Sequence, residues 1–178
     1  MIIAYIYGNV ILGGDMMSIF NEARLETWNE LKGLSDEKLN QKPSAEEWSI
    51  REVLDHLKKI DMTAQKMLKE RVKDAPIKEI EEKPLEVAQD RNNKRKAPSH
   101  LEPAHDFISG SQMKRELDVV REQLTAAIAS LKEEDFERVL PHPVFQELTV
   151  RQWIDFIGHH EKRHLSQMKE IKEKIERA

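Results

Sequence analysis

His160-Glu161-Lys162-Arg163-His164 is a literal H-E-x-x-H, and the fold turns on how it is read. On a helix, residues four apart share a face, so the two imidazoles can reach one cation. In zinc proteases the intervening glutamate is the general base and a third ligand follows downstream, after a turn. Here residues 165–178 read as continuous helix, so Glu170, Glu173 and Glu176 cannot fold back to the pair from the same rod. The longer zincin pattern fails as well, because Gln167 stands where glycine is required and Glu170 where histidine is. No candidate edge strand offers itself to align a peptide substrate. The two histidines therefore call for a third ligand from another part of the chain.

The pair lies on the last of four amphipathic segments. That segment opens at Thr149-Val150-Arg151-Gln152, a capping box flanked by Leu148 and Trp153 as a hydrophobic staple. Its apolar stripe runs through Ile157, Met168, Ile171 and Ile175, with His160 and His164 continuing the same inward face. The second helix opens in the same way, at Ser49-Ile50-Arg51-Glu52 with Trp48 and Val53, and ends before Pro76. The likeness of WSIREVL to LTVRQWI follows from shared capping chemistry without common ancestry. The first helix spans residues 18–34 with Phe20, Ala23, Trp28, Leu31 and Leu34 at helical spacing, and the third spans 112–131.

Between the second and third helices lies a charged stretch, residues 74–111, carrying Pro76, Pro84, Pro98 and Pro103. A connection this long frees the third helix from running antiparallel to the second. No strand-period segment of useful length is visible. The expected architecture is all-α: a four-helix bundle with a long crossover between helices 2 and 3, forming one domain over residues 16–178.

Composition agrees. Of 178 residues, 35% are charged, 39% are hydrophobic and only six are glycine, a balance that suits amphipathic helices. The net charge of −4 argues against a sequence-wide affinity for nucleic acid. With no cysteine, disulfides and thiolate ligands are excluded, so any metal must be held by imidazole nitrogen and oxygen. Residues 1–15 form an apolar tail, expected to be loosely ordered. It has no basic residue before it and falls short of the roughly 20 apolar residues that span a bilayer. No membrane role follows, and a cytoplasmic location is expected.

The seven histidines differ in weight. His56 lies on the Val53-Leu57-Ile60 side of the second helix and can point inward beside His160 and His164. Two neighbouring imidazoles in a core need partners for their nitrogens, and a shared metal supplies one. Three protein nitrogens would leave a position open for water or substrate. His159 pairs by spacing with Asp155 on a solvated flank. His100 and His105 sit in the crossover and His142 between Pro141 and Pro143, where they can cover the mouth of a site. Glu161, rotated about 100° from His160, either lines the pocket or faces a neighbouring helix; it is the weak candidate for a catalytic base. Gln167 can hydrogen-bond a ligand, or pack between helices. Arg91, Lys94, Arg95 and Lys96 form a basic run that can attract an anion.

Trp48-Ser49 opening helix two, His56 beyond it, and HEKRHLSQM at 160–168 resemble the DinB/YfiT-like superfamily, and His142-Pro143 through Leu148-Thr149 to Trp153 fits one of its branches. The resemblance covers nearly the whole chain from the first helix onward. It implies a four-helix bundle whose divalent metal, zinc or nickel, is held by His56, His160 and His164, with Gln167, His142 and Trp48 as neighbours of the ligands or of substrate. It implies a metal-dependent hydrolase, or a thiol S-transferase of the bacillithiol type, acting on a small molecule. In a chain without cysteine the thiol would be a low-molecular-weight cosubstrate. The resemblance also implies a homodimer, which exposed aromatics on the first helix would suit. The competing expectation is a non-catalytic, metal-stabilised binding or stress-associated bundle.

Overall fold

The computed structural model describes residues 18–92 and 96–177. The apolar tail, Lys94 and Arg95 lie outside the described residues. Four long helices carry the fold: α1 (Ser18–Glu30), α3 (Ile50–Arg71), α4 (Gly110–Ala129) and α5 (Val150–Arg177), with a short α2 (Asp36–Asn40) after α1.

Both expected capping boxes are formed. Ser49 N donates to Glu52 Oε2 at 2.7 Å and Glu52 N returns the bond to Ser49 Oγ at 3.1 Å. Thr149 and Gln152 make the same exchange at 3.0 and 3.2 Å. These bonds satisfy amides that a helix start would otherwise leave unpaired. The first helix stops short of the expected residue 34, because Gly33 takes φ 81°, a left-handed conformation in which an α-helix cannot continue.

Cross-helix pairs fix the directions. Gly158 meets Ile19, Arg24 meets Glu161 and Lys172 meets Glu30, so α1 and α5 run parallel. Lys58 pairs with Glu116 and Asp61 with Arg121, so α3 and α4 are parallel too. His56 faces residues 160–164 of α5, while Ala64 and Leu68 share a cluster with Ile154 and Ile157, which sets α3 antiparallel to α5. The long crossover makes the parallel α3–α4 pair possible. Gly158 lets α1 and α5 approach closely: a Cβ there would lie 2.8 Å from the backbone of Ile19 and Phe20.

The core is two apolar clusters separated by charge. One gathers Phe20, Leu68, Leu124, Phe136 and Ile154; the other gathers Val53, Leu57, Met113, Leu117, Leu165 and Met168. Between them each long helix contributes one buried charged residue: Arg24, Asp61, Arg121 and Glu161. Their four ion pairs span 2.6–3.1 Å.

Two expectations need correction. A two-stranded antiparallel hairpin, β1 (Val139–His142) and β2 (Gln146–Thr149), precedes α5, with Leu140 opposite Leu148. Four-residue strands, one containing Pro141, are too short for an alternating pattern to register. The aromatics of α1 are not an exposed face either. Phe20 is fully buried, and Trp28 is half-buried against the core with its Nε1 donating to Asp118 Oδ1 at 3.2 Å.

Candidate metal centre

His56 lies in the second turn of α3, and His160 and His164 are one turn apart on α5. The antiparallel packing of these helices brings the three rings together, with centroid separations of 5.5 Å (His56–His160), 4.7 Å (His56–His164) and 4.5 Å (His160–His164). One nitrogen from each falls within 4.8 Å of the others. His56 and His164 are buried and His160 is half-buried.

The hydrogen bonds settle which nitrogens are free. His56 Nδ1 is 2.8 Å from the Leu101 carbonyl, which can only accept, so Nδ1 carries the proton and Nε2 keeps its lone pair. His164 Nδ1 donates to Gln167 Oε1 at 2.8 Å, which likewise leaves Nε2 free. Arg91 Nη1 donates to the same Oε1 at 3.4 Å and thereby fixes the orientation of the amide. His160 Nδ1 is buried without a partner. A histidine kept only for packing would have that nitrogen paired.

The protonation states suit ligation. Burial pushes His160 down to about 3, with the nearby His56 and Arg163 adding to the shift. Burial, followed by the charges His160 and His56 would carry, holds His164 well below its ordinary value, and burial also lowers His56. Neutral imidazoles with free lone pairs are the form a cation requires. The residues therefore fit a divalent ion.

The family model of the DinB superfamily matches residues 19–168, most of the chain. The chain belongs to the DinB superfamily. Among solved structures it resembles YfiT from Bacillus subtilis, described as a probable metal-dependent hydrolase with an unusual four-helix bundle topology. The TM-score is 0.60 at 15% identity, over 90% of this chain and 86% of that one. At that identity the likeness speaks for the fold alone.

The other expected residues fall in different places around the histidine cluster. Trp48 is half-buried with its ring 5.3 Å from that of His56. His142 is buried among Trp153, Phe156 and Phe145, at 4.4, 4.3 and 5.3 Å between centroids, and Phe156 in turn contacts His160 at 5.6 Å. Its Nδ1 accepts from the Val144 and Phe145 amides at 3.1 and 3.0 Å, closing the hairpin turn. Nε2 must then carry the proton, and it is buried with no partner. Burial brings His142 down to about 4. It is thus a fixed neutral donor rather than a loop histidine at a mouth.

Glu161 faces the neighbouring helices. It is fully buried, with Oε1 2.6 Å from Arg24 Nε and Oε2 2.6 Å from Arg121 Nη2. Burial alone would raise its pKa, but the two guanidinium charges outweigh burial and hold it low. With both oxygens held by guanidinium groups, the reading as catalytic base gives way to one in core electrostatics. His159 Nδ1 accepts from Gln89 Nε2 at 2.7 Å, which ties α5 to the crossover. Arg91 ends on Glu170 at 2.9 Å and on Gln167, so it is committed to the wall of the site rather than free to draw in an anion.

The crossover is what sequence reasoning missed. Its 3₁₀ turn Leu85–Gln89 packs on α5, and residues 101–105 return along the start of α3, where Ala104 N donates to Asp55 Oδ2 at 2.9 Å and His105 Nδ1 meets Glu52 Oε1 at 2.5 Å. One carbonyl, that of Leu101, sets the His56 tautomer. A backbone acceptor leaves no mark in residue identity.

Proposed function

We propose that this chain is a metal-dependent enzyme acting on a small molecule, with a divalent ion, zinc or nickel, held by His56, His160 and His164. The observation that carries the reading is the pair of Nδ1 hydrogen bonds, to Leu101 and to Gln167, that leave two Nε2 lone pairs free in a cluster where each of three imidazoles has a nitrogen within 4.8 Å of the others. Three nitrogens leave part of the coordination sphere open, the arrangement of catalytic rather than structural sites. A bound divalent ion supplies Lewis-acid polarisation of a substrate oxygen or of a thiol sulfur.

The chain's own residues hold and orient that chemistry. Gln167 and the Leu101 carbonyl lock the two ring tautomers, and Arg91 locks Gln167. The rings of Trp153, Phe156 and Phe145 enclose the His142 imidazole and keep that side of the site dry. Hydrolysis is the reaction named for the YfiT structure, and it is the first expectation here. Transfer of a small-molecule thiol is the second, with the thiol supplied from outside because the chain has no cysteine.

The burial of Glu161 favours one competitor, a bundle that keeps its metal for stability alone, since the motif's own acid is spent in the core. Metal-loaded and chelated protein should be assayed side by side for ester and amide hydrolysis and for conjugation of thiols to electrophiles. Turnover that disappears on chelation and returns with metal supports the enzyme. A blank screen from protein whose melting temperature nevertheless falls on chelation supports the metal-stabilised bundle.

A further inference from the structure

Among the described residues outside the histidine cluster, one buried charge has no partner. Arg51, in the first turn of α3, is 2% exposed, and its Nε and Nη1 are enclosed without a hydrogen bond. It lines a cleft of about 190 Å³ between the start of α3, the loop after α2 and the returning crossover.

The other polar side chains of that cleft are already engaged. Asn40 spends its amide on the backbone of Asp36 and Ile108, donating to their carbonyls at 2.8 and 2.9 Å and accepting from Ile108 N at 3.2 Å. Ser49 caps the helix. Glu52 takes the Ser49 amide, His105 Nδ1 at 2.5 Å and Lys42 Nζ at 3.3 Å. Two cations, Arg51 and Lys42, thus face a single carboxylate, and the amide end of a 22-residue helix adds to the positive side. A guanidinium taken out of water needs an acceptor, and the described residues of the cleft supply none to Arg51.

We propose that this cleft is a second binding site, which takes the carboxylate group of a small molecule on Arg51. The planar guanidinium suits a carboxylate. The excess of one positive charge matches a monoanion, and the Glu52 carboxylate in the same cleft disfavours a dianion such as phosphate. Nothing in this assignment depends on the metal.

Acetate is the simplest probe. The metal-loaded chain, labelled with ¹⁵N in arginine, is titrated with sodium acetate against sodium chloride at matched ionic strength, and separately with inorganic phosphate. The Arg51 Nε–H signal is identified by its absence in Arg51→Lys. It should move saturably with acetate, and the melting temperature should rise over the same range. Arg51→Met keeps the three histidines and should lose the thermal response. A response that survives in Arg51→Met comes from the metal or from the general surface and overturns the proposal. A stronger response to phosphate than to acetate overturns the carboxylate assignment. If Arg51→Met does not fold, the titration of the unsubstituted chain decides alone: a signal that moves no further in acetate than in chloride overturns the site.

Discussion

Glu161 Oε1 lies 2.6 Å from Arg24 Nε, so the acid inside the H-E-x-x-H is bound into the bundle core rather than set beside its two histidines. Arg121 grips the other oxygen, and Asp61 answers both arginines. One residue from each long helix meets at the level that divides the two apolar clusters. Such a layer fixes which helix heights lie side by side, because any axial slip would strand a buried charge. The register that brings His56 level with His160 and His164 is set immediately next to it.

Replacing Glu161 with Gln should lower stability by about 3–5 kcal/mol at neutral pH, since it leaves two buried guanidinium groups short of a counter-charge. Urea unfolding measures this. The pH dependence gives a second signature. The folded-state pKa of Glu161 is held below its ordinary 4.5, so the stability it contributes is complete above that value and is lost as pH falls through the folded value. The variant should therefore lose less stability than the parent on acidification below pH 4.5. Equal slopes for the two proteins would show that the ion pairs contribute nothing net.

Gly158→Ala tests the close approach of α1 to α5. Its Cβ would meet backbone atoms of Ile19 and Phe20, which cannot rotate away as a side chain can. A loss of about 1–3 kcal/mol is expected from this overpacking. Thermal unfolding that is unchanged, or raised by the better helix propensity of alanine, would mean that the two helices part without penalty.

Gln167→Leu removes the acceptor that holds the His164 Nδ1–H, while leaving all three imidazoles in place. Metal affinity should fall about 10- to 100-fold. Arg91→Ala, which frees the Gln167 amide to turn, should fall in the same direction by less. Competition with a chromophoric chelator reads both, and an undiminished affinity in Gln167→Leu would remove the amide from the account.

The parts of this molecule that were legible in its sequence are those written in local chemistry. Ser49-Glu52 and Thr149-Gln152 announced their helix starts, and the inward stripes of α3 and α5 placed His56, His160 and His164 on facing sides. Gln167 was legible as a neighbour of His164 because the two are one turn apart. What stayed hidden was made by contacts distant in sequence. The Leu101 carbonyl on His56 spans 45 residues and Arg24 on Glu161 spans 137. His142 read as a loop residue because its hairpin has only four residues a side, and the unpaired state of Arg51 shows only once its surroundings are packed.

The central claim is that three histidines from two antiparallel helices hold one metal. Elemental analysis of protein purified without a metal-affinity tag tests it most directly, on the parent chain and on His56→Ala, His160→Ala and His164→Ala. The account predicts about one divalent ion per chain in the parent, and loss of that ion in each of the three variants. A parent that carries no metal after exposure to zinc and nickel, or a His56→Ala variant that keeps a full equivalent, would contradict it.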